Sequence, residues 1–446
     1  MRPIVGLAFA LCLVAGATLV GSCSPQQSAK KLNILVVSID TLRADHLGCY
    51  GYTRPTSPNI DAFAAKAAVF ENAHSSASWT LPSFASLFTS LYSTSHGCWK
   101  VDSRLESEHD TLAEHLRDAG WDTSLIVPHV FLSGQYGLQQ GFVHIDDTLV
   151  RTASESNKVI SSPAMTDKSI AWLERKQQSP DDSPFFLWVH YFDPHDEYLP
   201  HAGYSEQFGL KADIDLYDGE IRWVDEHVAR LLKRVDELYG LDQTVVAIVA
   251  DHGEEFGEHG FQRHGYTLYQ EAVRIPLIVH VPGHAARRVS DLVSNIDFMP
   301  TLLEVAGVPA RGLQQGRSLM PLLRGETLPP RGALSEVRWH DDQDMRCWRE
   351  ESWKLHEDRS HGKERDELYD LAADPREQTN LLSTRQDALT RMRDSLGHML
   401  GLALQHAKLF PQPRRYTPPP GDQARLSALG YAEDEVQAPA QPETPK

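Results

Sequence analysis

Cysteine is scarce in this chain. Of its 446 residues five are cysteines, and Cys12 and Cys23 belong to the N-terminal segment. Cys49, Cys98 and Cys347 remain for the body. Three thiols can close at most one bridge and leave one over, with the pairing open, which excludes a disulfide framework. No C-x-x-C pair occurs, so a cysteine zinc site is excluded as well. Positive charge is also short. Lys and Arg number 43 against 61 Asp and Glu, a formal net charge of -18. That balance excludes nucleic acid or an anionic membrane surface as the main partner. An anionic substrate would have to be attracted locally, against the global field. No internal repeat is present. Hydrophobic residues at 41% and charged residues at 23% are ordinary for a folded globular protein.

The N-terminus reads as targeting rather than fold. Arg2 precedes an apolar stretch over residues 4–20, near membrane-spanning length. Val20-Gly21-Ser22-Cys23 is similar to a bacterial lipobox, which is cut before a cysteine that then carries lipid. Ser24, rather than Asp, follows that cysteine, which by the same resemblance favours the outer membrane. The expected organisation is a lipoprotein signal peptide over 1–22 and a tether over 23–31. A catalytic domain over 32–329, a C-terminal subdomain over 330–405 and an extended tail over 406–446 follow, the tail's end being disordered. The protein would sit in a bacterial cell envelope, facing the periplasm or the exterior.

The body alternates strands and helices. Apolar, branched runs at 32–39, 123–127, 185–191, 244–250 and 275–281 predict buried strands. Helical spacing occurs at 59–68, 111–119 and 215–238. This predicts an α/β fold: a large, mainly parallel sheet flanked by helices. Beyond residue 330, short strand-like runs at 333–338, 352–356 and 367–371 and a helix at 385–402 predict a smaller antiparallel sheet.

Ligands of such sheets bind beyond the carboxyl ends of the strands. Asp40 and Asp251-His252 fall there, and Asp193 and His195 follow a third strand. Ser78-Trp79-Thr80-Leu81-Pro82-Ser83 offers a hydroxyl on a turn before a helix. One divalent cation touching Asp40, Thr80, Asp251 and His252 would lower the pKa of Thr80 and neutralise an anionic ester. The structural alternative for Thr80 is a helix cap through its hydroxyl. His259, in a glycine-rich loop, reads as structural.

Ordered motifs carry a family resemblance from residue 32 to about 382. They are Asp40-Thr41-Leu42-Arg43-Ala44-Asp45-His46-Leu47-Gly48, Thr56-Ser57-Pro58-Asn59, Asp193-Pro194-His195-Asp196, Asp251-His252-Gly253 and Glu367-Leu368-Tyr369-Asp370-Leu371 with Asp374-Pro375. In these the chain resembles the sulfatases of the alkaline phosphatase superfamily. The resemblance implies a large mixed sheet between helices, a small C-terminal sheet, and a divalent metal at the carboxyl edge of the large one.

The departures from that family are as informative. Where sulfatases carry Cys or Ser followed by x-Pro-Ser-Arg, this chain has Thr80-Leu81-Pro82-Ser83-Phe84. Threonine cannot be oxidised to formylglycine, and Phe84 removes a guanidinium. Thr41 stands at the second acidic ligand, His129 alone remains of a lysine–histidine pair, and His264 stands for a lysine. Threonine nucleophiles occur in the superfamily's phosphotransferases and nucleotide pyrophosphatases. The expectation is a metal-dependent hydrolase of a sulfate or phosphate ester. Thr80, His195 and His264 would be its catalytic residues. Asp40, Thr80, Asp251 and His252 would hold one tightly bound cation, with His195 and His264 as seats for a second if there are two. Mixed oxygen and imidazole ligands suit Zn or Mn better than Ca, though some sulfatases place Asp-His at calcium. The alternatives are a phosphodiesterase or phosphotransferase, and a surface-anchored binding protein on the same scaffold.

Overall fold

The computed structural model of the chain describes residues 31–152, 160–340, 342–411, 413–429 and Tyr431. The signal segment, Cys23 and residues 432–446 lie outside the described residues. Among the described residues no helix is long and apolar enough to cross a membrane.

Fifteen strands form among the described residues. In the large sheet they are β1 (Asn33–Ile39), β2 (Ala68–His74), β3 (Asp122–Ile126), β4 (His144–Asp146), β5 (Phe185–Tyr191) and β6 (Thr244–Ala250). The short β7 (Glu255–Phe256) and β8 (Gln262–Arg263) make a separate ribbon. Then β9 (Arg274–Ile275), β10 (Leu277–His280) and β11 (Arg287–Ser294) complete the large sheet. Its order is β11-β2-β10-β6-β1-β5-β3-β4, with β9 paired to β2. The central strands β1, β5 and β6 are parallel neighbours and buried almost throughout, as continuous apolar runs on a sheet covered on both faces must be. One covering helix, Asp213–Tyr239, buries Tyr217, Ile221, Val224, Val228, Leu231 and Val235 at three- and four-residue spacing.

Two elements differ from the periodicity. The helix expected over 59–68 runs only Pro58–Ala64, because Ala68, Val69 and Phe70 are buried in β2. The strand expected over 275–281 is divided at Pro276, which has no N–H to give a ladder; β9 pairs with β2, and β10 lies between β2 and β6.

The second sheet is antiparallel, in the order β12 (Ala333–Val337), β13 (Met345–Glu350), β14 (Trp353–Asp358), β15 (Arg365–Asp370). Its core packs Leu334, Trp348 and Leu355 against Leu389, Met392 and Leu396 of the helix Gln386–Ala407. Of the tail expected from 406, the described residues are not extended throughout. The chain folds back over the large domain, with the Arg414 N–H donating to Glu106 Oε1 at 2.9 Å and the Tyr416 N–H to the Asp102 carbonyl at 2.6 Å. A helix, Pro420–Ala428, follows, and Tyr431 ends fully inside the protein at 3% exposure. Apolar Leu426, Leu429 and Tyr431 join the main core, and this burial outweighs the segment's polar composition.

Candidate active site and metal centre

Strand register builds the site. Ile39 lies beside Ala250 on one side and Tyr191 on the other, so the residues after β1 and β6, Asp40 and Asp251, reach the same carboxyl edge. The next residue, His252, comes with them. One ligand atom each from Asp40, Asp251 and His252 lies within 4.8 Å of the others, and all three residues are wholly buried. His252 Nε2 is 3.4 Å from Asp251 Oδ2 and 3.7 Å from Asp40 Oδ1. Those two oxygens are buried and accept no hydrogen bond. Buried oxygens are nearly always satisfied. A pair of orphaned carboxylate oxygens facing an imidazole nitrogen therefore fits a divalent cation.

The other halves of the carboxylates are tied down. Asp251 Oδ1 accepts from the N–H groups of His252 at 3.0 Å and Thr41 at 3.4 Å. Asp40 Oδ2 meets His190 Nε2 at 3.1 Å, and His190 Nδ1 meets Ser38 Oγ at 3.0 Å. Burial opposes ionisation of Asp40, yet the His190 hydrogen bond and the imidazoles of His195 and His129 hold it below the usual carboxylate range. Burial and the Asp40 charge push Asp251 well up. Two carboxylates so placed ionise together only against a positive charge.

Thr80 is the first residue of the helix Thr80–Thr89, and Trp79 is its cap residue. The Thr80 hydroxyl caps nothing; it lies 3.3 Å from His252 Nε2, at a helix end that favours negative charge. The turn is held by Ser83, whose hydroxyl donates to the Asp251 carbonyl at 2.6 Å and is met by Ser75 and Asn295.

His195 and His264 stand next to this group, their rings 4.9 Å apart, and His264 is 4.6 Å from the His252 ring. His195 stacks on Phe192, and its Nδ1 is 2.6 Å from the Asp196 carbonyl, which makes Nδ1 the protonated nitrogen. Its Nε2 is buried and without a hydrogen-bond partner. His264 Nδ1 lies 3.0 Å from Glu254 Oε1 and its Nε2 3.1 Å from the Tyr431 hydroxyl. Burial, then the neighbouring imidazoles, push His252 and His264 down to about 3, while burial pushes Glu254 up to about 8.

The positions that depart from the family pattern are each accounted for. Phe84 packs its edge against His190 at 5.1 Å and touches Trp188 at 6.0 Å, so apolar core fills the place of the guanidinium. Thr41 takes a left-handed backbone at φ 53, uncommon for a branched residue, and its hydroxyl donates to the Pro194 carbonyl at 3.1 Å. His129 keeps a buried Nε2 without a partner, in the field of Asp40. The Asp193 carboxylate accepts from the N–H and hydroxyl groups of Ser161 and Ser162. His259 stacks on Tyr269 and pairs with Glu271, as a structural residue does. The described cysteines Cys49, Cys98 and Cys347 are free thiols.

Sequence reasoning missed His190, Glu254 and Tyr431. A polar residue inside the apolar run Phe185–Tyr191 could have flagged His190. Glu254 lies in the motif already singled out. Nothing local marks Tyr431.

A mixed sheet with a carboxylate–imidazole cage at its carboxyl edge, and a helix-start hydroxyl beside it, defines a hydrolase of the alkaline phosphatase type. The sulfatase family model matches residues 32–308, and a model of the N-sulphoglucosamine sulphohydrolase C-terminal region matches residues 257–400. The chain belongs to the sulfatase family and is a sulfatase-family ester hydrolase. It is 25% identical over 439 residues to the sulfatase YidJ of Escherichia coli (strain K12), covering 82% of this chain and 86% of that one. It is 28% identical over 436 residues to arylsulfatase A of Homo sapiens, covering 79% and 84%. Among solved structures, the phosphonate monoester hydrolase of Agrobacterium radiobacter shares the fold, with a TM-score of 0.70 at 20% identity over 84% of this chain and 96% of that one.

Proposed function

We propose that this protein is a metal-dependent hydrolase that cleaves a sulfuric or phosphoric ester with Thr80 as nucleophile. One observation carries the reading: an uncapped, buried hydroxyl lies 3.3 Å from His252, beside two orphaned carboxylate oxygens. Asp40, Asp251 and His252 would hold the cation, with the Thr80 oxygen facing it. When bound, it would neutralise the ester's charge and polarise the group being transferred. Zn or Mn suits this donor set better than Ca.

In the first half-reaction the Thr80 O–H bond breaks, its proton passing to water, and Oγ bonds to sulfur or phosphorus as the bond to the alcohol oxygen breaks. The leaving oxygen keeps that electron pair and takes a proton from His195 Nε2, the nitrogen not committed to Asp196. His195 therefore acts in its protonated form. Water then cleaves the threonine ester, with an imidazole accepting its proton. A cavity of about 260 Å³, lined by Asp196, Tyr198, Asp213, Glu255, Phe256 and Arg263 and so including the residues next in sequence to His195 and Glu254, would offer room for the alcohol portion.

A second reading, hydrolysis of phosphodiesters or phosphonate monoesters, is favoured by Thr80 itself, which cannot become the aldehyde that sulfate-cleaving relatives use. Lipid attachment at Cys23 and an envelope location rest on the N-terminal motif alone; partition into detergent, lost in Cys23→Ala, tests them. For the activity, 4-nitrophenyl sulfate, 4-nitrophenyl phenylphosphonate and bis(4-nitrophenyl) phosphate are offered to metal-analysed wild type and Thr80→Ala. The expected result is turnover of at least one of them by the wild type. Thr80→Ala should be inactive while keeping the fold, and Thr80→Ser should retain part of the rate. A Thr80→Ala enzyme near wild-type rate overturns the nucleophile.

A further inference from the structure

Every side chain of the candidate site is shut away from solvent. Asp40, Thr80, Asp251 and His252 are fully buried, and His195 and His264 are each only 4% exposed. An ester cannot meet Thr80 unless part of the protein moves. The strands that deliver Asp40, Asp251 and His252 are fixed, because β1 and β6 pair with each other along their whole lengths. The C-terminal segment is held differently. Among the described residues it joins no sheet. The N–H groups of Arg414 and Tyr416 bond to the large domain, but those of Leu429 and Tyr431 stay inside the segment, on the carbonyls of Arg425 and Leu426. Its far end is docked by the side chains of Leu426, Leu429 and Tyr431 in the main core.

Tyr431 sets that end against the site. Its hydroxyl lies 3.1 Å from His264 Nε2. Its ring packs against Phe131, Trp339 and Trp79, the residue before Thr80, at 4.8, 4.9 and 6.1 Å. The seat of the segment is incompletely satisfied. The indole N–H of Trp79 and the hydroxyls of Tyr136 and Tyr416 are buried without a hydrogen-bond partner. The Tyr136 and Tyr416 rings meet across the seam at 5.3 Å. Buried donors without partners oppose docking, and lifting the segment would let water satisfy them. Apolar burial thus holds the segment down while unpaired polar groups weaken its hold.

We propose that the segment carrying the helix Pro420–Ala428 and Tyr431 is an autoinhibitory cover. Docked, it closes the approach to Thr80 and occupies His264 Nε2; the ester enters when the segment swings out. The proposal rests on the reading of Thr80 as the reacting group. When only a fraction of the molecules is open to a ligand, the apparent affinity falls by that fraction. Saturating substrate draws every molecule into the open state and leaves the maximal rate unchanged. The cover therefore acts on KM and not on kcat.

The test loosens the docking at a distance from the site. Leu426→Ala combined with Leu429→Ala is compared with wild type, and circular dichroism and Tm establish that the body is folded. The substrate is whichever of the three nitrophenyl esters the wild type turns over fastest. KM should fall about tenfold with kcat little changed, because trimming two buried leucines shifts the docking equilibrium by at least that factor. A second readout needs no turnover. Thr80→Cys, alone and combined with the two leucine substitutions, is exposed to a small maleimide, and peptide mass spectrometry follows position 80. The engineered thiol should be modified about tenfold faster when the leucines are trimmed. Equal labelling rates overturn the cover, whatever the activity. Faster labelling with an unchanged or raised KM, or with a fall in kcat, overturns its inhibitory role. If the leucine variant does not fold, Tyr431→Phe, which keeps the ring and drops only the bond to His264, carries both readouts with the same outcomes in smaller measure. Thr80→Ala keeps the two readings apart: an active Thr80→Ala enzyme overturns the nucleophile, while the labelling still decides the cover.

Discussion

Among the described residues, two buried charged clusters differ in how their charges are matched. Under the small sheet, Lys354 Nζ lies 2.9 Å and His356 Nε2 2.8 Å from Glu377 Oε1. Glu377 Oε2 accepts from the Gln270 N–H at 2.7 Å. Burial would raise the Glu377 carboxyl, but Lys354 and His356 hold it at about 2. At the edge of the large sheet, Asp40 and Asp251 are equally buried, yet each keeps one oxygen without a partner. In the first cluster the opposite charges of Lys354 and Glu377 face each other, although Lys354 Nζ makes no hydrogen bond. The second leaves negative charge unspent, toward a hydroxyl at a helix start. Two like-charged oxygens left without partners beside an imidazole and a hydroxyl are what sets the second cluster apart.

Substitutions that treat the two clusters alike should expose the difference. The largest effect is expected from Asp251→Asn. It should lose bound metal and at least about 1000-fold in kcat/KM, the worth of several kcal/mol of transition-state stabilisation. In metal-free protein its Tm should equal or exceed wild type, because a carboxyl that burial disfavours has been neutralised; a large drop in Tm would break the comparison. Lys354→Met should do the reverse. It leaves Glu377 buried with less compensation, which costs about 3–5 kcal/mol in denaturant unfolding. The protein that remains folded should keep wild-type kcat.

The smallest effect is expected at the seam between the two regions. His259 loses from burial but gains more from the Glu271 carboxylate, and rises to about 9. Its folded value exceeds the unfolded value near 6.5, so its contribution is complete below that pH and is lost as pH rises through 9. His259→Gln should therefore cost about 1 kcal/mol at pH 6 and nothing measurable near pH 10. A pH-independent Tm difference would show that stacking on Tyr269, rather than charge, holds the residue.

Legibility differed by the range of the interaction concerned. Strands β1, β5 and β6 were readable because each is a short continuous apolar run, and its length with its branched and aromatic residues marks it as a buried strand. Asp40 and Asp251-His252 were readable because they stand at the ends of those runs. Errors occurred where neighbours override local pattern, as at Ala68, taken by β2, and at Pro276, which splits a strand.

The amino-acid sequence by itself determined the fold class, the elements that carry Asp40, Thr80, Asp251 and His195, and the departures at Phe84 and Thr41. Each of these depends on the order and spacing of residues within a short segment. Only the tertiary structure decided that His190 ties down Asp40, that Phe84 fills the core against it, and that Tyr431 reaches His264 Nε2. Those contacts join residues more than a hundred positions apart. They arise from sheet register and from the burial of Leu426, Leu429 and Tyr431 in the main core, neither of which has a local signature.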